Sequence, residues 1–332
     1  MLTPQPDGKL ASAEPVLLPV MAPRLQADCR PDGFADISLW GVGRLGRVRF
    51  TALNAPYLYG PNRLLAADGG IHAAQSGPVL LIRGARLRQV HPARRCAWWH
   101  DVKPEAARPT WSTADAARVM ELPWGVLAIE QRDADLVIAA GASRQEALAA
   151  LALSAEDIVA EAAAYEARCD RLPEAEPLVR SMVIQGVHAA LSSIRQDEQG
   201  NFAGLAAGQA YSSPARTYFR AGYWTLQPLL KLDPGAVREQ IRVLAKGVQP
   251  DGEAPSGVIL TGPAQLAAWR QFIQQPERYK EHHLRPEDWW SDHFDSPLFF
   301  ILAVGDYVRE TSDAKEARRH WPVIAAIIEQ YF

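Results

Sequence analysis

The sequence predicts a multi-domain β + α protein, with an N-terminal β-sandwich followed by a domain built from helices. Two observations lead to this prediction. From Val16 to about Ala140, short apolar or alternating runs recur between turn-forming segments, as expected for antiparallel strands. Near Ala142–Arg144 the hydrophobic period changes from two residues to about 3.6, and the helical period then continues to the end of the chain.

The predicted strands are short, and Pro, Gly, Asn and Asp separate them. The segment Ile129–Ile138 reads as a hairpin that turns near Arg132–Ala134. Residues 1–15 are rich in Pro, Gly, Asp and Ser, and are predicted to be a disordered lead-in. The predicted strands are Val16–Val20, Ala35–Trp40, Val48–Ala52, Val79–Ile82, Leu87–Val90, Val126–Glu130 and Leu136–Ala140.

A helical linker is predicted over residues 141–172, between a β-sandwich domain at 16–140 and a helical domain at 173–332. Ser143 starts a short helix, and Ser154-Ala-Glu-Asp157 has the pattern of a capping box for a second one. Its Ala and Glu content suits a helix that docks one domain on the next, although a plain surface helix fits nearly as well.

The second half of the chain reads as paired helices, which suggests α-hairpins laid side by side. Longer loops, at 196–213, 248–262 and 276–294, alternate with the short ones, so they are expected to open on one end of the domain and form a cleft there. The predicted helices are Glu174–Arg195, Arg216–Leu232, Pro234–Gly247, Pro263–Gln275, Pro297–Thr311 and Lys315–Phe332.

Composition excludes several functional classes. The 332 residues carry a formal net charge of −3, without the basic excess typical of nucleic-acid-binding proteins. No apolar run approaches the roughly 20 residues that cross a membrane, and no secretory signal is apparent at the N-terminus. Cys29, Cys96 and Cys169 are odd in number and widely spaced, which favours free thiols in a reducing cytoplasm over a disulfide.

The sequence indicates neither a cofactor nor a metal site. Gly41-Val-Gly-Arg-Leu-Gly46 has the glycine spacing of a dinucleotide-binding loop, but such a loop must lead directly into a helix. Here a strand-like run follows, so we predict a β-turn. His72, His91 and His100 lack acidic partners at the spacing of metal ligands.

Candidate site residues lie at helix ends in the second half. Arg220, Trp224 and Gln227 share one helix face at i, i+4 and i+7, which suits the wall of a polar cavity or equally an ordinary surface helix. Asp251 and Glu253 lie on a loop after a helix. Trp289, Trp290, Asp292 and Asp295 precede another helix, where Asp295 is also a candidate N-cap.

Three of these segments, in this order, resemble the six-hairpin glycosidase superfamily, which is built on an (α/α)6 toroid. They are Tyr218–Trp224, Gln249–Glu253 and Asp292–Ser296. The superfamily includes glycogen-debranching-type glucosidases, α-glucosidases and α-mannosidases, and the resemblance covers roughly the second half of the chain. It departs from the family pattern at Ala221, where an Asp usually follows the Phe-Arg pair and holds sugar hydroxyls.

The resemblance implies a partial (α/α)6 toroid and a glycoside hydrolase acting on α-linked glucosides or mannosides, with inversion the expected outcome. Glycosidases use one carboxylic acid to protonate the leaving oxygen and a second carboxylate to activate water. Glu253 is the candidate acid, with Asp251 beside it, although sugar binding or a plain surface turn are alternatives for this pair. The expected substrate-binding residues are Arg220, Trp224, Gln227, Trp289, Trp290, Asp292 and Asp295.

Two other functions stay open. A non-catalytic carbohydrate-binding or structural protein could keep the cleft and lose the chemistry, as Ala221 suggests. A lyase or epimerase on an α-toroid would need a Tyr, His and Arg cluster, for which Tyr223 and His293 are candidates.

The chain is expected to lack part of the enzyme. A closed toroid of six hairpins has twelve helices, whereas about six are predicted from Glu174 onward. The last helix has an apolar stripe without a predicted partner, and the superfamily's catalytic base generally comes from later helices. We therefore expect no hydrolysis from residues 1–332 alone, and self-association through this stripe, which comprises Val323, Ile324, Ile327, Ile328 and Tyr331.

Overall fold

The structure is a computed structural model of the 332-residue chain. It describes residues 3–4, 10–12, 18–21, 24–30, 33–50, 57–60, 63–66, 72–97, 100–169, 175–197, 199–206, 216–260, 263–274 and 294–332. The chain has an α+β fold in which strands come first and most helices follow. Contacts divide it into two compact units, Met1–Ser192 and Ser193–Phe332. The predicted ranges 16–140, 141–172 and 173–332 stay predictions about domains.

The first unit is built mainly from two antiparallel sheets. Ten strands form one sheet in the order β1-β2-β7-β8-β9-β10-β17-β16-β15-β14, and five form the other in the order β11-β6-β5-β4-β3. The strands are β1 Thr3–Pro4, β2 Leu10–Ser12, β3 Leu18–Met21, β4 Leu25–Arg30, β5 Phe34–Leu39, β6 Gly43–Phe50, β7 Tyr57–Gly60, β8 Arg63–Ala66, β9 His72–Ser76, β10 Val79–Arg83, β11 Leu87–Pro92, β12 Arg95–Ala97, β13 His100–Asp101, β14 Thr110–Ala114, β15 Ala117–Leu122, β16 Gly125–Arg132 and β17 Asp135–Gly141.

The two sheets approach closely at small residues. A Cβ on Gly125 of β16 would lie 2.6 Å from Val42 Cγ1 and 2.7 Å from Leu45 Cδ2. A Cβ on Gly46 of β6 would lie 3.2 Å from Met120 Cε. The missing side chain at Gly125 thus lets Val42 and Leu45 pack against β16, while the His91 carbonyl oxygen, 2.5 Å from a Cβ at Gly46, leaves no room for a side chain there.

The opposite face of the ten-stranded sheet is covered by helices α1 Arg144–Leu151 and α2 Ala155–Cys169. Val79 and Leu81 of β10 are buried with Ile158 and Ala162 of α2, while Leu80 alternates with them on the other face. The predicted caps are present, since Ser143 Oγ accepts from Glu146 N at 3.2 Å and Ser154 Oγ accepts from Asp157 N at 3.1 Å. The third helix, α3 Pro177–Ser192, also lies in the first unit.

Two local predictions in this unit are confirmed. The hairpin at 129–138 forms, with β16 and β17 joined at Asp133 and Ala134. The glycine-rich segment at 41–46 turns directly into strand β6, as predicted for a β-turn. The lead-in differs from its prediction, because Leu10–Ser12 pairs with Tyr57–Tyr59 as a strand of the large sheet.

The second unit is not wholly helical, contrary to the sequence prediction. Strands β18 Ile194–Gln196 and β19 Phe202–Leu205 form a hairpin at the start of the predicted loop. Strand β20 Arg216–Tyr218 comes before the next two helices and pairs with β21 Gly257–Ile259, which comes after them. Three-residue strands give no detectable sequence period, which explains the difference. The helices are α4 Phe219–Leu232, α5 Pro234–Ala245, α6 Pro263–Phe272, α7 Ser296–Thr311 and α8 Ala314–Ala326, and α8 continues as a π-helical segment, Ile327–Tyr331.

Polar side chains of α8 contact α5 and α7. Arg242 of α5 donates through Nε to Glu316 of α8 at 3.2 Å, and Glu316 is 3% exposed. His320, one turn further along α8, lies 3.3 Å from Glu316 and meets the Phe300 ring of α7 edge-on. The hydrogen bond from Arg242 keeps the pKa of Glu316 below its ordinary value.

The apolar stripe of the last helix is only partly exposed. Ile327 is fully buried, and a Cβ on Gly252 would lie 2.6 Å from its Cα, so the 249–253 loop covers this side of the helix. Ile328 and Phe332 are exposed. Among the described residues, no helix is both long and apolar enough to cross a membrane.

Candidate functional site

The candidate site begins where strand β20 leads into helix α4. The pairing of Tyr218 with Gly257 and the hydrogen bond from Phe219 N to Ser256 O, at 3.2 Å, hold the end of the 249–256 loop beside the start of α4. Behind them, Gln240 Nε2 donates to Thr217 Oγ1 at 2.7 Å. Thr217 in turn donates to the Leu205 carbonyl, so a buried polar network fixes β20.

Asp251 and Glu253 lie on a tight turn at the other end of that loop. Gly252 N donates to Gln249 O at 2.9 Å, and Gln249 N donates to Glu253 O at 2.7 Å. The backbone N–H of Glu253 also donates to Asp251 Oδ1 at 3.1 Å. The turn predicted as an alternative is therefore present, with Asp251 exposed and Glu253 half-buried.

Arg220, in the first turn of α4, pairs with Asp295 at the start of α7. Arg220 Nε donates to Asp295 Oδ2 at 2.6 Å, and its Nη2 pairs with the same oxygen. Asp295 stands at the N-cap position of α7, but its side chain makes no capping hydrogen bond. Its other oxygen, Oδ1, is buried and accepts no hydrogen bond from the residues that the structure describes.

Tyr331, near the end of the chain, is influenced by both Glu253 and Asp295. Burial raises its pKa, and the charges of Glu253 and Asp295 raise it further. The charges of both carboxylates thus act on the Tyr331 hydroxyl, and one of these carboxylates, Asp295, is bound by Arg220. Sequence analysis assigned Tyr331 only to an apolar stripe, because its position depends on the π-helical segment that ends α8.

Gln227 and Trp224 lie further along α4, against α7. Gln227 Nε2 and Tyr223 Oη donate to Asp306 Oδ2 at 2.9 and 2.8 Å, and Arg309 also pairs with Asp306. Gln227 is thus used to join two helices. Trp224 is 64% exposed, and its ring meets Tyr223 edge-on with centroids 5.2 Å apart.

The remaining predicted site residues, Trp289, Trp290 and Asp292, lie outside the described residues, as does His293. Within the described parts of the chain, no group of three or more His, Cys, Asp or Glu side chains could hold a metal ion. Cys29 and Cys96 are buried, and neither forms a disulfide with another residue that the structure describes.

Comparison with known proteins gives no family for this chain. No family model matches it, and no curated protein matches it significantly. A functional proposal therefore rests on the ion pair of Arg220 with Asp295 and on the loop that carries Glu253.

Proposed function

We propose that the second unit is part of an (α/α)6 toroid, and that the protein is a glycoside hydrolase acting on α-linked glucosides or mannosides. The observation that supports this is the ion pair of Arg220 with Asp295 at the start of α4, where the loop that carries Glu253 is held by the hydrogen bond from Phe219 N to Ser256 O. Glycoside hydrolysis requires two carboxyl groups beside the scissile bond. Here Glu253 can supply one of them, and Asp295, bound by Arg220, can bind the sugar.

In this proposal Glu253 is the general acid. Its proton passes to the glycosidic oxygen as the bond to the sugar breaks, and a water activated by a second carboxylate attacks the opposite face with inversion. Arg220 fixes Asp295, whose carboxylate accepts hydrogen bonds from sugar hydroxyls. The exposed ring of Trp224 offers an apolar plane on which the C–H face of a sugar can pack.

The proposal includes a cytoplasmic location and independence from a cofactor, nucleic acid or membrane. Support for the location comes from Cys29 and Cys96, which form no disulfide among the described residues, as is usual in a reducing compartment.

A second candidate is a carbohydrate-binding protein without catalysis. Two observations favour it. Ala221 follows Arg220 where the resembling family has an Asp. The carboxylate of Asp251 is also engaged by the backbone of its own turn.

A comparison of sugar release with sugar binding distinguishes the two functions. The intact protein is incubated with maltose, isomaltose and α-mannobiose, and both reducing-sugar release and calorimetric binding are measured. For the hydrolase, Glu253→Gln should lower turnover by about 10²–10⁴-fold and keep binding, because the amide cannot donate the proton. Glu329→Gln, which changes an exposed carboxylate of the same unit, is the matched control.

Each outcome has a distinct meaning. Sugar binding without release identifies the non-catalytic protein. Unchanged turnover in Glu253→Gln rejects Glu253 as the acid, and the absence of both binding and release contradicts both candidates.

A further inference from the structure

A cavity of about 210 Å³ opens in the first unit, where strands β5 and β6 meet the end of β11. Three arginines and one aspartate are among the residues that line it. The register of the two strands skips Leu45, since Ile37 pairs with Gly46 while Ser38 pairs with Arg44. Such a bulge redirects the neighbouring side chains and commonly occurs beside functional sites. The lining residues are Asp36, Ile37, Arg44, Gly46, Ala93, Arg94 and Arg95.

The single carboxylate of the lining is already bound by an arginine outside the cavity. Arg47, across the sheet from Asp36, donates from Nε to Oδ1 at 2.7 Å and from Nη2 to Oδ2 at 2.8 Å. Both oxygens of Asp36 are engaged in this fork, which offsets its charge. The other charged residues of the lining are the three arginines, of which Arg95 also pairs with Asp101.

The arginines of the wall are placed to receive an anion. Arg94 is exposed, and none of the described residues forms an ion pair with it. Arg95 pairs with Asp101 at 2.7 Å, but this contact is solvent-exposed on both sides, so it holds the side chain only weakly against a competing anion. Arg44 belongs to the bulge itself, and its carbonyl accepts from Trp124 Nε1 at 2.7 Å, which anchors the backbone there.

We propose that this cavity binds the phosphate group of a small phosphorylated ligand. Guanidinium forks match the geometry of phosphate oxygens and can bind them in pairs. The volume is below the roughly 300–1,000 Å³ of pockets that enclose a drug-sized molecule, so the cavity fits the anionic group and leaves the rest of the ligand outside. This binding does not depend on the proposed glycosidase activity.

Calorimetric titration of the full-length chain tests the proposal at pH 7.5 and constant ionic strength. Inorganic phosphate and glucose 6-phosphate are the probes that carry the group, and glucose and acetate are the probes that lack it. At least one phosphate probe should bind, and Arg94→Gln should weaken that binding by tenfold or more. Arg88→Gln, an exposed arginine of β11 outside the cavity, should leave it within about twofold.

Several results would overturn the proposal. They are no binding of either phosphate probe, equal binding of acetate, glucose binding as tightly as glucose 6-phosphate, or equal weakening by the Arg94 and Arg88 substitutions. Thermal unfolding of Arg94→Gln without phosphate should match the unsubstituted protein, because the side chain is exposed. If it does not match, Arg94→Lys, which keeps the charge but loses the fork, should bind phosphate more weakly than the unsubstituted protein, and equal binding overturns the proposal.

Discussion

Gly252 shows how one residue can fix the candidate site. Its φ of +84° lies in the left-handed region, and a Cβ there would approach Ile327 Cα to 2.6 Å. Glycine thus permits both the turn that carries Glu253 and the contact of that turn with the end of α8. Glu253 follows Gly252 directly, so the contact of Gly252 with Ile327 also holds the backbone of Glu253 beside the end of α8.

Gly252→Ala should lower the free energy of unfolding by about 1–3 kcal/mol, because it combines left-handed strain with a backbone clash. Urea denaturation followed by circular dichroism measures the change. Gly305→Ala is the matched control, since a Cβ at that helical glycine meets nothing within 4 Å. It should instead stabilise the protein by about 0.5–1 kcal/mol, and a similar loss in both variants would contradict this account.

Helix α8 contacts two other helices of the second unit and buries a histidine. It binds α5 through Arg242 and Glu316, and it contacts α7 through His320 and Phe300. Burial lowers the pKa of His320 from its ordinary value of about 6.5, although the Glu316 charge acts in the opposite direction. The folded protein therefore keeps His320 neutral at a pH where the unfolded chain takes up a proton.

The unfolding free energy should fall as pH decreases below about 6.5, because only the unfolded state then gains the proton at His320. The slope from this group cannot exceed about 1.4 kcal/mol per pH unit. A comparison of His320→Gln with the unsubstituted chain isolates the contribution of His320, because both proteins keep its charged neighbours Glu316, Arg319 and Arg242. Denaturation between pH 7.5 and 5 should show a shallower dependence in His320→Gln, and identical slopes would refute this role.

The elements differ in how well the sequence predicts them. The hairpin at 129–138 and the caps at Ser143 and Ser154 depend on residues close in sequence, so local patterns identify them. The bond from Gln227 to Asp306 spans 79 residues, and no local pattern gives such a partner. The place of Tyr331 depends on a π-helical segment, which a period of 3.6 does not predict.

At the scale of the whole molecule, each of the two units buries large apolar side chains. Leu81 is fully buried among residues of the ten-stranded sheet and helices α1 and α2. Phe300 is fully buried in α7 of the second unit. The order of strands before helices followed from the change of hydrophobic period, whereas the division at Ser192 depends on contacts that the sequence does not reveal.

Differential scanning calorimetry should resolve two unfolding transitions. Leu81→Ala should lower one of them, because removing a buried leucine costs about 2–5 kcal/mol. Phe300→Ala should lower the other by a comparable or larger amount. A single transition that both substitutions shift equally would mean that the units unfold as one cooperative body.

The pairing of β10 with β17 has a consequence during synthesis. Arg83 pairs with Asp135, so β10 leaves the ribosome well before its partner has been translated. At about 5–20 residues per second, the delay is roughly 3–10 s. During that time Val79–Ile82, which is buried on both faces in the finished sheet, has one neighbouring strand at most and presents apolar side chains to water or to a chaperone. The nascent chain is thus most vulnerable to aggregation before residue 135 emerges.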